Sequence, residues 1–219
     1  MLTDNKLIIK IIWVAIFSIS MGFVESAVVV YLRRIYYPEG FSFPLKPLID
    51  NLIEVEVLRE AATIFMLLSA AVLAGKKIWE RFAYFLFCFG VWDIFYYVWL
   101  KVLINWPLTI FDWDILFLMP MPWIGPVIAP VTISILMITV GLAIIHLFHR
   151  GYEFKPILIS RILTLIGTGF VISSFMRDTG ATLRQQLPQP YLYGFLFIGV
   201  ILYTAAFIIS YLKTVTQKV

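Results

Sequence analysis

Six apolar windows decide what this chain can fold into: roughly residues 7–32, 55–75, 78–103, 123–147, 156–176 and 191–212, each set off by turn or charge clusters. A helix crossing a hydrocarbon core about 30 Å thick needs about 20 mostly apolar residues. Each window meets that length, so the sequence predicts an all-α, polytopic membrane bundle of six transmembrane helices in a single domain over 1–219. Composition agrees, with 62% hydrophobic and 14% charged residues and a mean hydropathy of +0.95. Lys6 and Lys10 precede the first window as in a signal peptide, but no small-residue cleavage site follows, which predicts an uncleaved first span.

The net charge of +4 is spread in short clusters between apolar runs, with no basic face or recognition motif, which argues against nucleic acid. It reads instead as an orientation code. Lys6, Lys10, Lys76, Lys77, Arg81, Arg150, Lys155, Arg161, Lys213 and Lys218 fall on one side, against Arg33, Arg34, Lys46, Arg59, Lys101, Arg177 and Arg184 on the other. Only Asp4, Glu80 and Glu153 offset the first group. Both termini are therefore expected to be cytoplasmic, with the chain in the cytoplasmic (inner) membrane.

The loops 33–54 and 104–122 then face outward. Tyr36, Tyr37, Phe41 and Phe43 in one, and Trp106, Phe111, Trp113, Phe117 and Trp123 in and just past the other, suit a headgroup layer and predict an aromatic cap. Pro107, Pro120, Pro122, Pro126 and Pro130 make the approach to the fourth helix irregular, which suits an interfacial or re-entrant segment.

Length also forces charges inside. The stretch 11–24 between Lys10 and Glu25 covers about 21 Å of helix, short of the full hydrocarbon thickness. The uncharged stretch 61–74 is equally short, so the second span takes in Arg59 and Glu60, while the third carries Asp93 near its middle. Counted from the cytoplasmic helix ends, Glu25 and Glu60 lie about 22 Å deep and Asp93 about 18 Å, with Arg59 at about 24 Å and Lys101 at about 30 Å. Arg177 could reach the same layer from the fifth helix.

Glu56, Arg59, Glu60 and Thr63 make one helical stripe, and Asp93, Tyr96, Tyr97 and Lys101 another. Ser18, Gly22 and Ser26 recur every fourth residue beside Glu25, allowing close helix contact. Helices one to three are expected to pack around this layer. Glu25 and Asp93 are candidate acid/base groups, Arg59 and Lys101 candidate anion binders, Glu60 the partner orienting Arg59, and Tyr96 and Tyr97 ligand contacts.

Other features carry less. Asp112 and Asp114 form an Asp-Trp-Asp triplet that could hold a divalent cation, though a solvated loop explains it as well. His146 and His149, the only two histidines, suit a polar helix end. Ser160, Thr164, Thr168, Gly169 and Ser173 suggest a packing seam on the fifth helix, and the single cysteine, Cys88, a small buried hydrophobe. No phosphate loop, nucleophile elbow, zinc-protease helix or dinucleotide fingerprint is present, so common soluble-enzyme chemistries have no support and any cofactor is unknown.

The stretches GFVESAVVVYLR from Gly22, YYPEGFSFPL from Tyr36, LREAATIFMLL from Leu58, ERFAYFLFCFGVWDIFYYVWLK from Glu80 and WDILFLMPMPWIGPVIAP from Trp113 resemble an uncharacterised family of small prokaryotic multi-pass membrane proteins. The resemblance covers the first 130 residues or so and implies a shared fold, without an activity.

Three functional readings follow. The first is an outward-facing intramembrane site that binds or modifies a lipid-like or amphipathic molecule. The second is a small proton-coupled transporter or channel. The third is an accessory subunit, in which the charges are an ion-pair network that staples helices within a larger complex or oligomer.

Overall fold

A computed structural model describes residues 2–46, 52–119, 121–180, 184 and 186–217, leaving Pro120 and Lys218 outside the described residues. It contains α1 (Leu2–Tyr36), α2 (Leu52–Ala74), α3 (Ile78–Ile104), α4 (Ile128–His149), α5 (Leu158–Met176) and α6 (Tyr193–Thr216). Among the described residues these six are long and apolar enough to cross a membrane, so the chain has the character of a multi-pass membrane protein. A helix suits that solvent because it satisfies its own backbone hydrogen bonds. The outer surface fits the same solvent: Trp13, Phe65, Leu73 and Leu165 all point outward.

The third helix is the hub, packing on α1, α2 and α4, while α5 and α6 form a second pair. Two glycines set the approach distances. A Cβ at Gly22 would stand 3.0 Å from the Trp92 carbonyl oxygen, and one at Gly90 would stand 2.6 Å from that of Ser134. Ser18 and Ser26, on either side of Gly22, are fully buried, and each returns its hydroxyl to its own helix. The stripe of small residues on α1 is thus a packing seam against α3. Because Gly22 sits against the Trp92–Tyr96 turn, Glu25 of α1 and Asp93 of α3 lie on neighbouring turns of the two packed helices.

On α5 the seam differs from the expected one. Ser160 accepts a hydrogen bond from Ser210 at 2.8 Å, Thr168 meets the Tyr203 hydroxyl at 2.9 Å, and Gly167 lies against Gly199. Gly169 meets nothing within 4 Å and Ser173 is exposed, so those two face away from α6.

The main departure from an all-helical expectation lies ahead of α4. Residues 123–126 do not begin that helix; they form β2 (Trp123–Pro126), antiparallel to β1 (Trp113–Phe117). Asp114 pairs with Gly125 and Ile115 with Ile124, and the register slips before Phe117 meets Trp123. Pro126 ends the ladder, and Pro130 falls in the first turn of α4, where a missing N–H costs nothing.

The hairpin descends between helices instead of lying across their ends. Phe117 stacks on Phe89 in the middle of α3 with ring centroids 6.3 Å apart, and Trp123 stacks on Phe175 of α5 at 6.2 Å. Its ladder satisfies backbone groups that would be costly at that depth.

At the opposite end the core is mainly apolar, through Val14, Leu67, Ala71, Ala83, Phe87 and Cys88, with the buried hydroxyls of Ser18 and Tyr84 among them. Cys88 is fully buried, as expected. His149 pairs with Asp4 at 3.0 Å, and His146 accepts from Arg150 at 3.4 Å, so the two histidines take separate partners at a polar helix end.

Candidate functional site

Two charge systems are held by α1, α2, α3 and the hairpin. The first is centred on Arg59. Its guanidinium donates to Glu56 Oε2 from Nε at 2.9 Å and from Nη2 at 2.7 Å, and to Glu25 Oε1 from Nη1. Thr63 Oγ1 donates to the other Glu25 oxygen at 3.2 Å. One guanidinium thus bridges two carboxylates from two helices, a fork that a lysine could not reproduce.

Glu60 does not orient Arg59, because consecutive residues diverge by about 100° around a helix. The residue one turn earlier, Glu56, takes that role. Both Glu60 oxygens instead accept from the Leu118 N–H at 3.0 Å, anchoring the tip of the hairpin.

The second system lies at the C-terminal end of α1. Arg33 is buried at 7% exposure and donates from Nη2 to Asp114 Oδ1 at 2.8 Å. Tyr96 donates to Asp114 Oδ2 at 3.3 Å. The Arg33 guanidinium lies 3.7 Å from the Trp106 ring centre and 4.2 Å from that of Phe41, so both aromatic loops close on it. Phe41 also meets Phe43 and Trp106 edge-on, and Phe43 meets Trp113. The two loops therefore form one aromatic cluster. Burial pushes the Asp114 carboxyl above the usual aspartate range, against the opposing pull of the Arg33 guanidinium.

Asp93 belongs to neither system. Its Oδ2 accepts from Ser134 Oγ on α4 at 2.8 Å, and no cation pairs with it among the described residues. Tyr97 packs edge-on against Tyr96 at 4.8 Å.

Glu25, Arg59, Glu60, Asp93, Tyr96 and Tyr97 all line one cavity of about 640 Å³, so most of the residues singled out by depth and helical spacing converge. That volume lies in the range of small-molecule sites, about 300–1,000 Å³. Apolar and aromatic residues, among them Val29, Tyr37, Phe41, Leu45, Ile53 and Val57, make much of the rest of its lining.

Lys101 is not part of it. The chain turns sharply at Asn105, the left-handed cap of α3 with φ 53°, and the exposed Lys101 ammonium donates to the Pro107 carbonyl at 2.9 Å. Arg177 is also exposed and lies outside the lining.

Asp112 and Asp114 do not act as a pair. Asp112 caps the preceding turn through the N–H groups of Leu108 and Thr109, while Asp114 turns inward to Arg33. No group of three or more metal-ligating side chains occurs among the described residues.

Sequence reasoning missed Arg33, Glu56 and Ser134 as functional contacts. Arg33 was legible in principle: Glu25, Val29 and Arg33 follow i, i+4, i+8 on one helix face.

No protein-family model, curated protein or solved structure matches the chain. The resemblance to a prokaryotic membrane family gains no support from these comparisons, and the assignment to multi-pass membrane proteins rests on the six apolar helices.

Proposed function

We propose that this protein binds a lipid-like or amphipathic molecule in an intramembrane pocket on the extracytoplasmic side of a prokaryotic inner membrane, with both termini in the cytoplasm. The observation that carries this reading is the cavity of about 640 Å³, whose floor is charged and whose remaining lining is largely apolar and aromatic. A small hydrophilic solute would leave that lining unsatisfied, and a pure hydrocarbon would leave the charges unsolvated. The excess of Lys and Arg on the opposite side supports the outward orientation.

In this reading Arg59 and its two carboxylates hold the floor, and the Arg33–Asp114 pair closes the aromatic lid. Glu25 is committed to Arg59 and Thr63, so Asp93 is the better candidate for contact with ligand or for handling a proton. A transporter needs a continuous polar route through the other half of the bundle, where the core is Val14, Leu67, Ala71, Ala83 and Phe87 with the isolated hydroxyls of Ser18 and Tyr84. That mainly apolar core favours a binding site over a passage.

Mass spectrometry of the protein purified in mild detergent tests the reading. The wild type is expected to retain about one amphiphile per chain, and Val29→Trp, which places an indole in the cavity between Glu25 and Arg33, should release it, with the melting temperature reporting whether the ion pairs on either side survive. Wild-type protein carrying no amphiphile, or equal retention by the Trp variant, would count against the pocket.

A further inference from the structure

The charges around the cavity select one kind of head group, an inference that rests on the amphiphile-binding reading above. Glu25, Glu56, Glu60, Asp93 and Asp114 line it, against Arg33, Arg59 and the exposed Lys46. Both guanidinium groups are already matched, Arg59 by Glu25 and Glu56 and Arg33 by Asp114. An anionic head group would add negative charge to a lining that already carries five carboxylates against three cations, two of which are neutralised within the protein.

Glu60 and Asp93 are in the opposite position. Among the described residues they meet only neutral donors, a backbone N–H and a serine hydroxyl. Asp93 is half-buried, and only one of its oxygens carries a described hydrogen bond. Trp92, Tyr96 and Tyr97 line the cavity beside it, and aromatic faces attract cations.

A second, independent feature concerns donors. Arg33 Nη1 and Trp92 Nε1 are buried N–H groups without an acceptor, on residues that are 7% and 5% exposed and that both line the cavity. Buried donors rarely lack acceptors in folded proteins, so a ligand that brings oxygen atoms would complete them.

A third feature bears on the hydrocarbon part. Toward the other end of the bundle, Phe17 of α1 and Phe65, Met66, Ala70 and Leu73 of α2 line an open apolar groove of about 380 Å³. It follows the seam of the same two helices that carry Glu25 and Arg59, and those helices touch each other far less than each touches α3.

We infer that the cavity takes a zwitterionic amphiphile: an ammonium group pairs with Asp93, head-group oxygens meet the donors of Arg33 and Trp92, and a hydrocarbon chain runs down the seam between α1 and α2. Recognition is then chiefly by the ammonium group, with Arg59 a structural counter-ion and Arg33 adding one donor to a head-group oxygen.

The test reconstitutes the full chain in nanodiscs of equimolar phosphatidylethanolamine and phosphatidylglycerol, then counts retained lipid by native mass spectrometry. The wild type should retain the zwitterionic lipid over the anionic one by about tenfold, the low end of what close charge pairs supply where they are net favourable. Asp93→Asn keeps the bond to Ser134 and should bring the ratio close to one. Glu60→Gln provides a second variant should the first fail to fold, with a smaller loss of selectivity in the same direction. Equal or better retention of phosphatidylglycerol by the wild type, or an unchanged ratio in Asp93→Asn, would overturn the inference while leaving amphiphile binding intact. Retention of neither lipid would overturn both. Free phosphoethanolamine binding as tightly as the lipid would also overturn it, because the seam would then contribute nothing.

Discussion

Arg59→Leu is expected to lower the stability of the detergent-solubilised protein by about 3–5 kcal/mol, because it strands two buried carboxylates that share one cation. Thermal unfolding followed by circular dichroism reads the loss. The cost should arise from what remains, not from lost packing, so the triple variant Arg59→Leu, Glu25→Gln, Glu56→Gln should recover most of it. Removing one partner of a buried pair is costly, whereas removing all the charges together approaches neutrality. Arg59→Lys should fall between wild type and leucine, since an ammonium supplies a point charge without the fork that reaches both carboxylates. A triple variant no more stable than Arg59→Leu would show that the guanidinium acts mainly as a packing element.

Asp114→Ala has the second-largest expected effect, about 3 kcal/mol, because it leaves the Arg33 guanidinium buried with no counter-charge. The loss should also be local. Asp114 ties β1 to the end of α1, so its removal is expected to loosen the hairpin and speed hydrogen exchange at the Leu118 N–H, which Glu60 otherwise protects. Arg33→Met retains much of the stacking between Phe41 and Trp106. In a double-mutant cycle, Arg33→Met with Asp114→Leu should be closer to wild type than either single change. Strictly additive single effects would mean that the pair does not act as a unit.

These effects were only partly foreseeable. Helix length and charge position were enough to place Glu25, Arg59, Glu60 and Asp93 in one layer, because in a chain this apolar the alternative positions for those charges lie too far away. Helical spacing was enough to bring Tyr96 and Tyr97 to the same face as Asp93. What spacing leaves open is the choice of partner. Arg59 has a carboxylate next to it in sequence and another three residues earlier, and the 100° step of the helix gives it to the latter. The Arg33–Asp114 pair joins residues 81 apart through a hairpin, so no local pattern reveals it.

The hairpin was hidden for a different reason. Trp123 to Pro126 is apolar and runs directly into the apolar α4, so hydropathy merges strand and helix. Its Gly-Pro step marks the break, but only side-chain contacts fix its depth between α3 and α5. Lys101 illustrates the reverse case. It lies on the predicted stripe, yet the turn at Asn105 brings the Pro107 carbonyl to its ammonium and leaves it outside the cavity.

The central claim is that the charged layer borders a cavity built for a ligand and is not merely a staple between helices. A high-resolution structure of the protein in native lipid tests it most directly. Head-group density is expected in the space bounded by Glu25, Glu60, Asp93 and Tyr97, with the Arg59 bridge to Glu25 and Glu56 intact. A closed bundle, in which Asp93 and Glu60 take cationic partners of the protein itself and no space remains between α1, α2 and the hairpin, would contradict it.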